Sequence, residues 1–386
     1  MKKIAVVTST RAEYGLLSPI IKELRKKESD AFEVDLIVTG THLSKEYGMT
    51  INEIDDRVDY KISISVKNDS DIDISHNQAE ALIEFTKLFS RQKYNAIVIL
   101  GDRYEMLSVA IAAGNTRTPI FHLCGGDTTE GALDEWIRHS ITKMSYLHFV
   151  TNEESKRRVI QLGESPERVF NYGSTSIDNI FRVADMDRKE ALESVGLEEN
   201  VSYAICTYHP VTMTMGAVDE QIDSFLEAIK SFPEIQFIIT KSNSDQGGSR
   251  INELLDKAGK CIENIHVFTS LGIRRYLSLM KYAEFVLGNS SSGIIETPSF
   301  GVPTVNIGER QRGRLQSESI INCGVSKGDI VSAIKMALSE EHRLICSKVV
   351  SPYGDGRAAE KIANRIIEEI KEEKIDLMKK FYDISF

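Results

Sequence analysis

The sequence predicts an α/β protein of two domains, each built from a parallel β-sheet covered by helices. Two observations lead to this prediction. Short runs rich in β-branched residues alternate with helical stretches along the chain, a pattern typical of parallel sheets wrapped by helices. The chain is also 386 residues long, and chains beyond about 250–300 residues usually divide into more than one hydrophobic core. We therefore expect two such cores in succession.

The N-terminal half contains six candidate strands, each short and apolar. They are 3–8, 33–38, 96–100, 118–122, 148–150 and 169–172. Helical periodicity predicts helices between them, including 14–27, 78–92 and 103–113.

The C-terminal half repeats this order. Its candidate strands are 203–208, 236–240, 265–268, 285–287 and 304–307, with helices near 218–231, 273–281 and 293–300. A charged helix at 185–195 links the halves, so we place the domains at 1–180 and 181–365. The stretch 355–381 carries Ile, Lys and Glu at helical spacing and predicts long terminal helices. We expect the last part, 366–386, to pack back on the N-terminal domain.

Composition and charge narrow the class of protein. With 41% apolar and 27% charged residues, the chain resembles a soluble globular enzyme. A net charge of −10 argues against a nucleic-acid partner, so any bound phosphate must meet local arginines. The five cysteines are scattered without a C-x-x-C pair, which indicates neither a disulfide framework nor a zinc site and favours a reducing cytoplasm. No apolar run approaches the length of a membrane span or signal peptide, so we expect an unanchored protein.

The segment 285–296 is the most informative motif. It joins an apolar strand to a loop of glycine and three serines, and then to a helix that carries Glu296. A helix N-terminus offers unpaired N–H groups and a partial positive charge, which suit phosphate oxygens. Glu296 would then accept both hydroxyls of a ribose. The alternative is a simple strand-to-helix turn with serine capping.

Acidic residues follow two strands of the N-terminal half. Asp102 ends the strand 96–100, where a crowded carboxylate suits proton transfer, although Asp is also a favoured N-cap. The segment after the next strand is the densest acidic cluster that adjoins a strand end. It contains Asp127, Glu130, Asp134, Glu135, Arg138 and His139. Asp134 and Arg138 have i,i+4 spacing, and a solvated helix face is the alternative reading.

Other residues at strand ends are candidate anion ligands. Arg11 follows the first strand, and its planar guanidinium suits a diphosphate, although it could also be a surface arginine. His209 closes a strand before Pro210 and could donate to a phosphate or sugar oxygen. Three arginines at 310, 312 and 314 lie between glycines and indicate an anion clamp. His122 and His148 lie in apolar runs and are predicted to be core residues, and Trp136 a core or interface residue.

Seven segments, taken in order, resemble the UDP-N-acetylglucosamine 2-epimerase family, and more closely its hydrolysing branch, which makes N-acetylmannosamine for sialic acid-type sugars. They are TRAEYG at 10–15, GTH at 40–42, GDR at 101–103, DEWIRHSITK at 134–143, HP at 209–210, GNSSSG at 288–293 with Glu296, and GERQRGR at 308–314. The resemblance covers nearly the whole chain, and seven motifs in the right order make a chance match improbable.

The resemblance implies two Rossmann-like domains in the glycosyltransferase-B arrangement, with the active site in the cleft between them. UDP would be held mainly by the C-terminal domain, with Glu296 on the ribose. The residues implied around the phosphates are Arg11, His209, Ser290, Ser291, Gly293 and Arg310. His42 and Arg103 are the candidates for the sugar site. The family requires no metal or redox cofactor.

The resemblance also implies the chemistry. A base removes the proton from C2 while UDP leaves C1, and water adds to the resulting 2-acetamidoglucal with inversion at C2. Asp102 and Asp134 match the catalytic carboxylates, and Arg138 and His139 line the sugar site. A third family carboxylate, usually Glu, is replaced here by Cys124, and Asp127 is the acid expected to take its place.

The resemblance leaves several alternatives open. The same chemistry on UDP-2,4-diacetamido-2,4,6-trideoxyglucose (UDP-N,N'-diacetylbacillosamine) is one, and a non-hydrolysing epimerase is another. A glycosyltransferase of the same architecture would need an acceptor, and a non-catalytic sensor would bind the nucleotide sugar without turnover. The expected partners are a small-molecule nucleotide sugar and further copies of the chain, as a homodimer or homotetramer, with no nucleic acid and no membrane.

Overall fold

A computed structural model of the protein describes residues 1–67, 70–129, 133–209, 218–242, 248–372 and 375–384. The chain divides into two compact units. The first unit comprises Met1–Asp127, Leu133–Asp178 and Gly354–Phe386, and the second comprises Thr128–Ala132 and Asn179–Tyr353. The predicted domain 181–365 is therefore corrected at its end, because 354–365 belongs to the first unit.

In the described part of the chain, the first unit contains seven strands, which alternate with α-helices except between β2 and β3. Its elements are β1 (Lys2–Thr8), α1 (Arg11–Arg25), β2 (Phe32–Thr39), β3 (Tyr60–Ile62), α2 (Asp71–Arg91), β4 (Ala96–Leu100), α3 (Tyr104–Asn115), β5 (Ile120–Leu123), α4 (Leu133–Met144), β6 (Leu147–Val150), α5 (Glu153–Gln161) and β7 (Val169–Asn171). The helix α6 (Thr175–Val183) leads from the first unit into the second.

The strands of the first unit form one parallel sheet in the order β3-β2-β1-β4-β5-β6-β7. The chain winds outward from β1 to β3, returns to β4 and then winds the other way, so the topological switch point lies between β1 and β4. Alternate residues of β1 enter opposite cores: Ile4 and Val6 on one face, Ala5 and Val7 on the other. Such a strand reads as a continuous apolar run because both faces are covered.

A capping box fixes the start of α1. The Thr10 side chain accepts the N–H of Glu13, and the Glu13 carboxylate accepts the N–H of Thr10. The same carboxylate oxygen accepts the backbone N–H and the hydroxyl of Ser9, each at 2.7 Å. Glu13 therefore holds the loop that follows β1 in place.

The chain ends on the first unit. Helix α14 (Ala358–Lys371) packs on α1, and the N–H groups of its first two residues donate to the carboxylate of Asp178 at 3.1 and 2.9 Å. The predicted helix over 355–381 is too long, because α14 ends at Lys371 and 375–384 carries no helix. Instead, Lys379 donates to both oxygens of the buried Glu164 at 2.8 and 2.7 Å, which anchors this segment.

The second unit repeats the architecture of the first. Its elements are α7 (Arg188–Glu193), β8 (Tyr203–Thr207), α8 (Val218–Ile229), β9 (Gln236–Thr240), α9 (Gly248–Cys261), β10 (Ile265–Phe268), α10 (Gly272–Tyr282), β11 (Phe285–Gly288), α11 (Ser291–Ile295), β12 (Thr304–Ile307), β13 (Ile320–Cys323), α12 (Lys327–Ala337) and α13 (Glu340–Cys346). The six strands are parallel in the order β10-β9-β8-β11-β12-β13, so the switch point lies between β8 and β11.

Two further expectations change in detail. The linking helix predicted at 185–195 is the shorter α7, and the helix predicted at 293–300 is α11 followed by a 3₁₀ turn, Thr297–Phe300, with Pro298 near its start. Within the described ranges, we find no helix both long and apolar enough to cross a bilayer.

Candidate functional site

The first unit places Asp102 at its topological switch point. Gly101, with φ of 80°, turns the chain sharply after β4, and Asp102 follows it before α3 begins. Ligands of open α/β sheets bind at this edge, beyond the carboxyl ends of the strands. The side chain of Asp102 is 28% exposed, so its carboxylate remains accessible from solvent.

Arg138 is the buried partner of Asp102. It projects from α4 with its side chain only 2% exposed, and its Nη2 donates to the Asp102 carboxylate. Its Nη1 donates to the carbonyl oxygen of Asp127 at 2.8 Å and to Glu135 at 3.1 Å. Burial alone would lower the pKa of Arg138, but the carboxylates of Asp102, Asp127 and Glu135 raise it. Arg138 therefore stays charged and joins the loop after β4 to α4.

Glu135 is a helix acid of this cluster that the sequence analysis did not assign to a role. Glu135 lies 3.3 Å from His139 Nε2 and contacts Arg138 at i,i+3 spacing. Asp134 is exposed on the first turn of α4, and its assignment as a catalytic carboxylate stays a prediction. Trp136 is 54% exposed, so it is not a core residue, and its assignment as an interface residue stays a prediction.

Asp127 is held inside the first unit. Its Oδ1 accepts hydroxyls of Thr151 and Ser155, both at 2.7 Å, and the residue is 9% exposed. Cys124, which precedes it after β5, has φ of 62°, a left-handed conformation that is rare for a residue with a side chain. The structure thus fixes the Asp127 carboxylate in a local network. Glu130 lies outside the described residues.

The two sugar-site candidates of the first unit are committed to structural contacts. His42 is fully buried, with its ring nitrogens 3.1 Å from Thr8 Oγ1 and 2.9 Å from Thr50 Oγ1. Burial lowers its pKa to about 4, so it is neutral at neutral pH. Its ring joins the end of β1 to the segment between β2 and β3, and the sugar-site role of His42 stays a prediction.

Arg103 likewise pairs with a neighbour. Its Nε donates to Glu105 at 2.7 Å. Burial alone would lower the pKa of Arg103, but Glu105 and Glu13 raise it. Burial, with a smaller effect of Glu105, raises the pKa of Glu13 to about 7. Arg103 therefore balances two acids beside the switch point. Arg11 has a half-exposed side chain, 3.9 Å from Glu53.

His122 and His148 are core residues, as predicted. Both are fully buried. His122 Nε2 lies 2.9 Å from the carbonyl oxygen of Gly101, and His148 Nε2 lies 3.1 Å from Glu164. The contact of His122 supports the turn that precedes Asp102.

In the second unit, the loop after β11 forms a helix N-terminus at the switch point. Ser290 caps α11 by accepting the N–H of Ser292 at 3.3 Å, and Ser291 opens the helix. Gly293 is buried, and a Cβ there would lie 2.9 Å from the Thr304 side chain. The missing side chain lets α11 lie close to β12. The predicted strand-loop-helix layout is therefore present, although α11 has only five residues.

Asn289 was not singled out from the sequence, yet it organises this loop. Its side chain accepts the N–H of His209 at 2.7 Å and donates to the carbonyl of His209 at 2.8 Å. Its own carbonyl accepts from Arg310 at 3.1 Å and from Gln311 at 2.8 Å. Asn289 thus joins the ends of β8 and β11 to the loop after β12. A lone Asn in a loop gives no sequence signal for such a role.

His209 lies at the end of β8 and is 6% exposed. Its Nδ1 is 3.1 Å from the hydroxyl of Ser242. Burial, reinforced by the positive charge of Arg310, lowers the pKa of His209 to about 3. The ring is therefore neutral at neutral pH and offers at most one N–H donor to a ligand. Pro210 lies outside the described residues.

Glu296 ends α11 and accepts a hydrogen bond from the Ser292 hydroxyl. Burial raises its pKa to about 7, while the Ser292 hydrogen bond opposes this shift. Tyr276 of α10, which sequence reasoning missed, is a neighbour of Glu296. Burial raises the pKa of Tyr276 to about 12, while Ser292 and Thr207 lower it and Glu296 raises it further. Tyr276 could not be singled out from the sequence because the periodicity of α10 indicates only a helix packed on the core.

The three arginines of the loop after β12 diverge. Arg310 reaches Asn289, and Arg312 is exposed and 3.4 Å from Glu309. Arg314 Nη2 lies 3.4 Å from the hydroxyl of Thr129, in the short segment that belongs to the second unit. Among the contacts that the structure describes, Arg310 adjoins the α11 loop through Asn289, and the anion clamp of three arginines stays a prediction.

Each unit thus carries a distinct chemical capacity at its own switch point. The first holds an accessible carboxylate beside a permanent buried cation, which suits proton transfer. The second holds helix N–H groups, serine hydroxyls, a neutral imidazole and an arginine, which suit a diphosphate, with a carboxylate at the far end of the short helix.

Known proteins resemble this chain over nearly its whole length. A family model described as UDP-N-acetylglucosamine 2-epimerase matches residues 22–367. A GDP/UDP-N,N'-diacetylbacillosamine 2-epimerase (hydrolysing) of Campylobacter jejuni is 39% identical over 347 residues, covering 89% of each chain. The polysialic acid biosynthesis protein P7 of Escherichia coli is 39% identical over 388 residues, covering 100% of this chain and 98% of that protein.

The fold is also that of solved structures. The UDP-GlcNAc 2-epimerase of Neisseria meningitidis, solved with UDP-GlcNAc, superposes with a TM-score of 0.81 at 19% identity. The match covers 95% of this chain and 100% of that structure. The similarity shows a shared fold of two Rossmann-like units.

Proposed function

Because the chain belongs to the UDP-N-acetylglucosamine 2-epimerase family, we propose that it is a hydrolysing 2-epimerase. The proposed reaction converts UDP-N-acetylglucosamine and water to N-acetylmannosamine and UDP. One observation carries the proposal: Asp102 lies at the switch point of the first unit, held by the buried guanidinium of Arg138. A proton on the carbon next to the anomeric centre is weakly acidic, so its removal requires a positioned base of this kind.

The reaction has two stages. In the first, a base removes the C2 proton, the C2–H electron pair forms the C1=C2 double bond, and the C1–O bond breaks with its electrons leaving on UDP. In the second, water adds to C1 of the 2-acetamidoglucal and a proton is delivered to the opposite face of C2. We assign Asp102 as the leading base or acid and Asp134 as its counterpart, with Asp127, Arg138 and His139 as the other residues of the sugar site.

The second unit would hold UDP. The N-terminus of α11, with Ser290, Ser291 and Gly293, would meet the phosphates together with His209 and Arg310. A departing diphosphate gains negative charge, and preorganised donors stabilise that charge most strongly. Glu296 would accept the ribose hydroxyls, and Arg11 is a further residue that we assign to the phosphates.

The same chemistry on UDP-N,N'-diacetylbacillosamine is a second candidate. The Campylobacter jejuni relative that is 39% identical carries that sugar in its name, with either GDP or UDP. The two hexoses differ at C4 and C6, positions that do not take part in the chemistry at C1 and C2.

One experiment tests the function and chooses the substrate. The purified protein is incubated in deuterated water with UDP-GlcNAc, UDP-N,N'-diacetylbacillosamine or its GDP analogue, and the products are followed by NMR. We expect free UDP and a free 2-epimeric sugar carrying deuterium at C2. A UDP-linked epimer would instead indicate a non-hydrolysing enzyme. Release of UDP that depends on an added acceptor would indicate a glycosyltransferase, and tight binding of every sugar without turnover would indicate a sensor.

The Glu296→Gln variant is expected to bind UDP about 10-fold more weakly than wild type at pH 8, because a hydrogen bond to a charged acceptor contributes about 1.5–3 kcal/mol. The effect depends on pH. The pKa of Glu296 is raised to about 7, so below pH 7 the wild-type carboxyl must first lose its proton. The ratio of the two Kd values therefore rises as pH increases through about 7.

Calorimetric binding experiments at pH 6, 7 and 8 measure this ratio. Protonation of the UDP phosphate affects both Kd values equally, so it cancels in their ratio. Glu227→Gln, an exposed acid on α8, is the matched control. A second probe is 2'-deoxy-UDP, for which the ratio of the variant Kd to the wild-type Kd should be smaller than it is for UDP. A ratio that stays constant with pH would argue against the ribose role.

A further inference from the structure

Glu135 bridges two neighbouring side chains of α4. Its Oε2 accepts from Arg138 Nη1 at 3.1 Å, and its Oε1 lies 3.3 Å from His139 Nε2. Helix residues three and four positions apart are neighbours, so this spacing brings the three side chains onto one face. Asp134 lies about 100° away around the helix axis, because an α-helix has 3.6 residues per turn. The bridge between Arg138 and His139 is made by Glu135.

The shared guanidinium connects Glu135 to Asp102. Arg138 is almost fully buried and donates through Nη2 to Asp102 and through Nη1 to Glu135. Its donors form a rigid planar fork, so the orientation of the guanidinium determines where the Asp102 carboxylate lies. One positive charge therefore faces two carboxylates, so the position of Glu135 helps to determine how Arg138 meets Asp102.

The same carboxylate fixes the imidazole of His139. An ionised carboxylate can only accept, so His139 donates from Nε2. The other ring nitrogen, Nδ1, is buried and finds no hydrogen-bond partner among the residues that the structure describes. Glu135 is thus the polar anchor of this ring and sets its tautomer.

We propose that Glu135 is a positioning residue, which orients Arg138, and through it Asp102, together with His139 for proton transfer at C2 of the sugar. This inference rests on the proposed function. Glu135 itself does not exchange a proton with the substrate. Its removal should slow the chemical steps while leaving nucleotide binding, which we assign to the second unit, intact.

The test compares wild type, Glu135→Gln, Glu135→Asp and the matched control Glu84→Gln, an exposed acid of α2 with its own i,i+3 lysine. The substrate is the nucleotide sugar that wild type turns over. We expect Glu135→Gln to lower kcat about 10- to 100-fold, the usual effect of removing a residue that orients an active group. KM and the Kd for UDP should stay within about twofold of wild type, as expected when only transition-state interactions are lost. Glu135→Asp keeps the charge and should recover part of kcat.

A second readout does not depend on turnover. Nitrogen-15 NMR of the imidazoles, assigned with His139→Asn, should show His139 protonated at Nε2 in wild type and a mixture of tautomers in Glu135→Gln. If Glu135→Gln does not fold, the same two measurements on Glu135→Asp carry the test. The proposal is overturned by a kcat equal to that of Glu84→Gln, or by an unchanged His139 tautomer. Absence of turnover by wild type would instead refute the proposed function, and the tautomer would still decide the role of Glu135.

Discussion

The Asp102→Asn variant is expected to release UDP about 10³-fold more slowly than wild type, because general acid–base groups contribute about 10²- to 10⁴-fold. The amide has nearly the shape of the carboxylate and can still accept a hydrogen bond from Arg138, so the fold of the site should survive. What it loses is the ability to take or return a proton. The Kd for UDP should remain close to the wild-type value, since we assign UDP to the second unit.

A coupled assay for UDP measures the rate, and calorimetry measures UDP binding. Asp30→Asn, which changes an exposed acid in the loop before β2, is the matched control and should behave as wild type. Asp134→Asn tests the second assigned carboxylate in the same assay. Near-normal UDP release by both Asp102→Asn and Asp134→Asn would refute the proposed mechanism.

The Gly288→Ala variant is expected to lose about 4 kcal/mol or more of the free energy of unfolding, at the extreme of single substitutions. Gly288 ends β11 with φ of 138°, and a Cβ there would lie 2.0 Å from the carbonyl oxygen of Thr207 and 2.8 Å from its carbonyl carbon. Both atoms are backbone of the adjacent central strand β8. The clash can be relieved only by separating the two strands at the switch point, which would also displace Asn289 and Ser290.

Gly272→Ala is the matched control for backbone conformation. Gly272 has φ of 67° and open space around its would-be Cβ, so its substitution should cost only about 1–2 kcal/mol, the penalty for a left-handed residue. Urea unfolding measures both variants, and UDP titration reports the α11 loop. Equal stabilities of the two variants, with unchanged UDP affinity in Gly288→Ala, would contradict the predicted clash.

The central strands could be predicted from the sequence because they are buried on both faces. The predicted strands 96–100, 236–240 and 304–307 have the same bounds as β4, β9 and β12. Two edge strands, β7 and β10, were also predicted, but the edge strands β3 and β13 escaped prediction. Both are short, and their residues alternate between partly buried and more exposed positions, so burial gives them no uniform apolar signal.

The location of the candidate site was predictable, but its pairings were not. A residue that follows a parallel strand must lie at the ligand-binding edge, which places Asp102, His209 and Ser290 from topology alone. Which side chains touch depends on rotation about the helix axis and on burial. Sequence spacing therefore could not reveal that Glu135 bridges Arg138 and His139, or that His42 is enclosed.

The return of the chain to the first unit has a consequence for biosynthesis. Helix α14 covers α1, yet its first residue, Ala358, is made 333 residues after Arg25, where α1 ends. At translation rates of about 5–20 residues per second, the apolar face of α1 waits about 17–67 s for its partner, and the second unit emerges from the ribosome meanwhile. We therefore expect nascent chains to need chaperone protection on that face. A premature stop before Ala358 should yield a polypeptide whose second unit folds while its first unit is degraded.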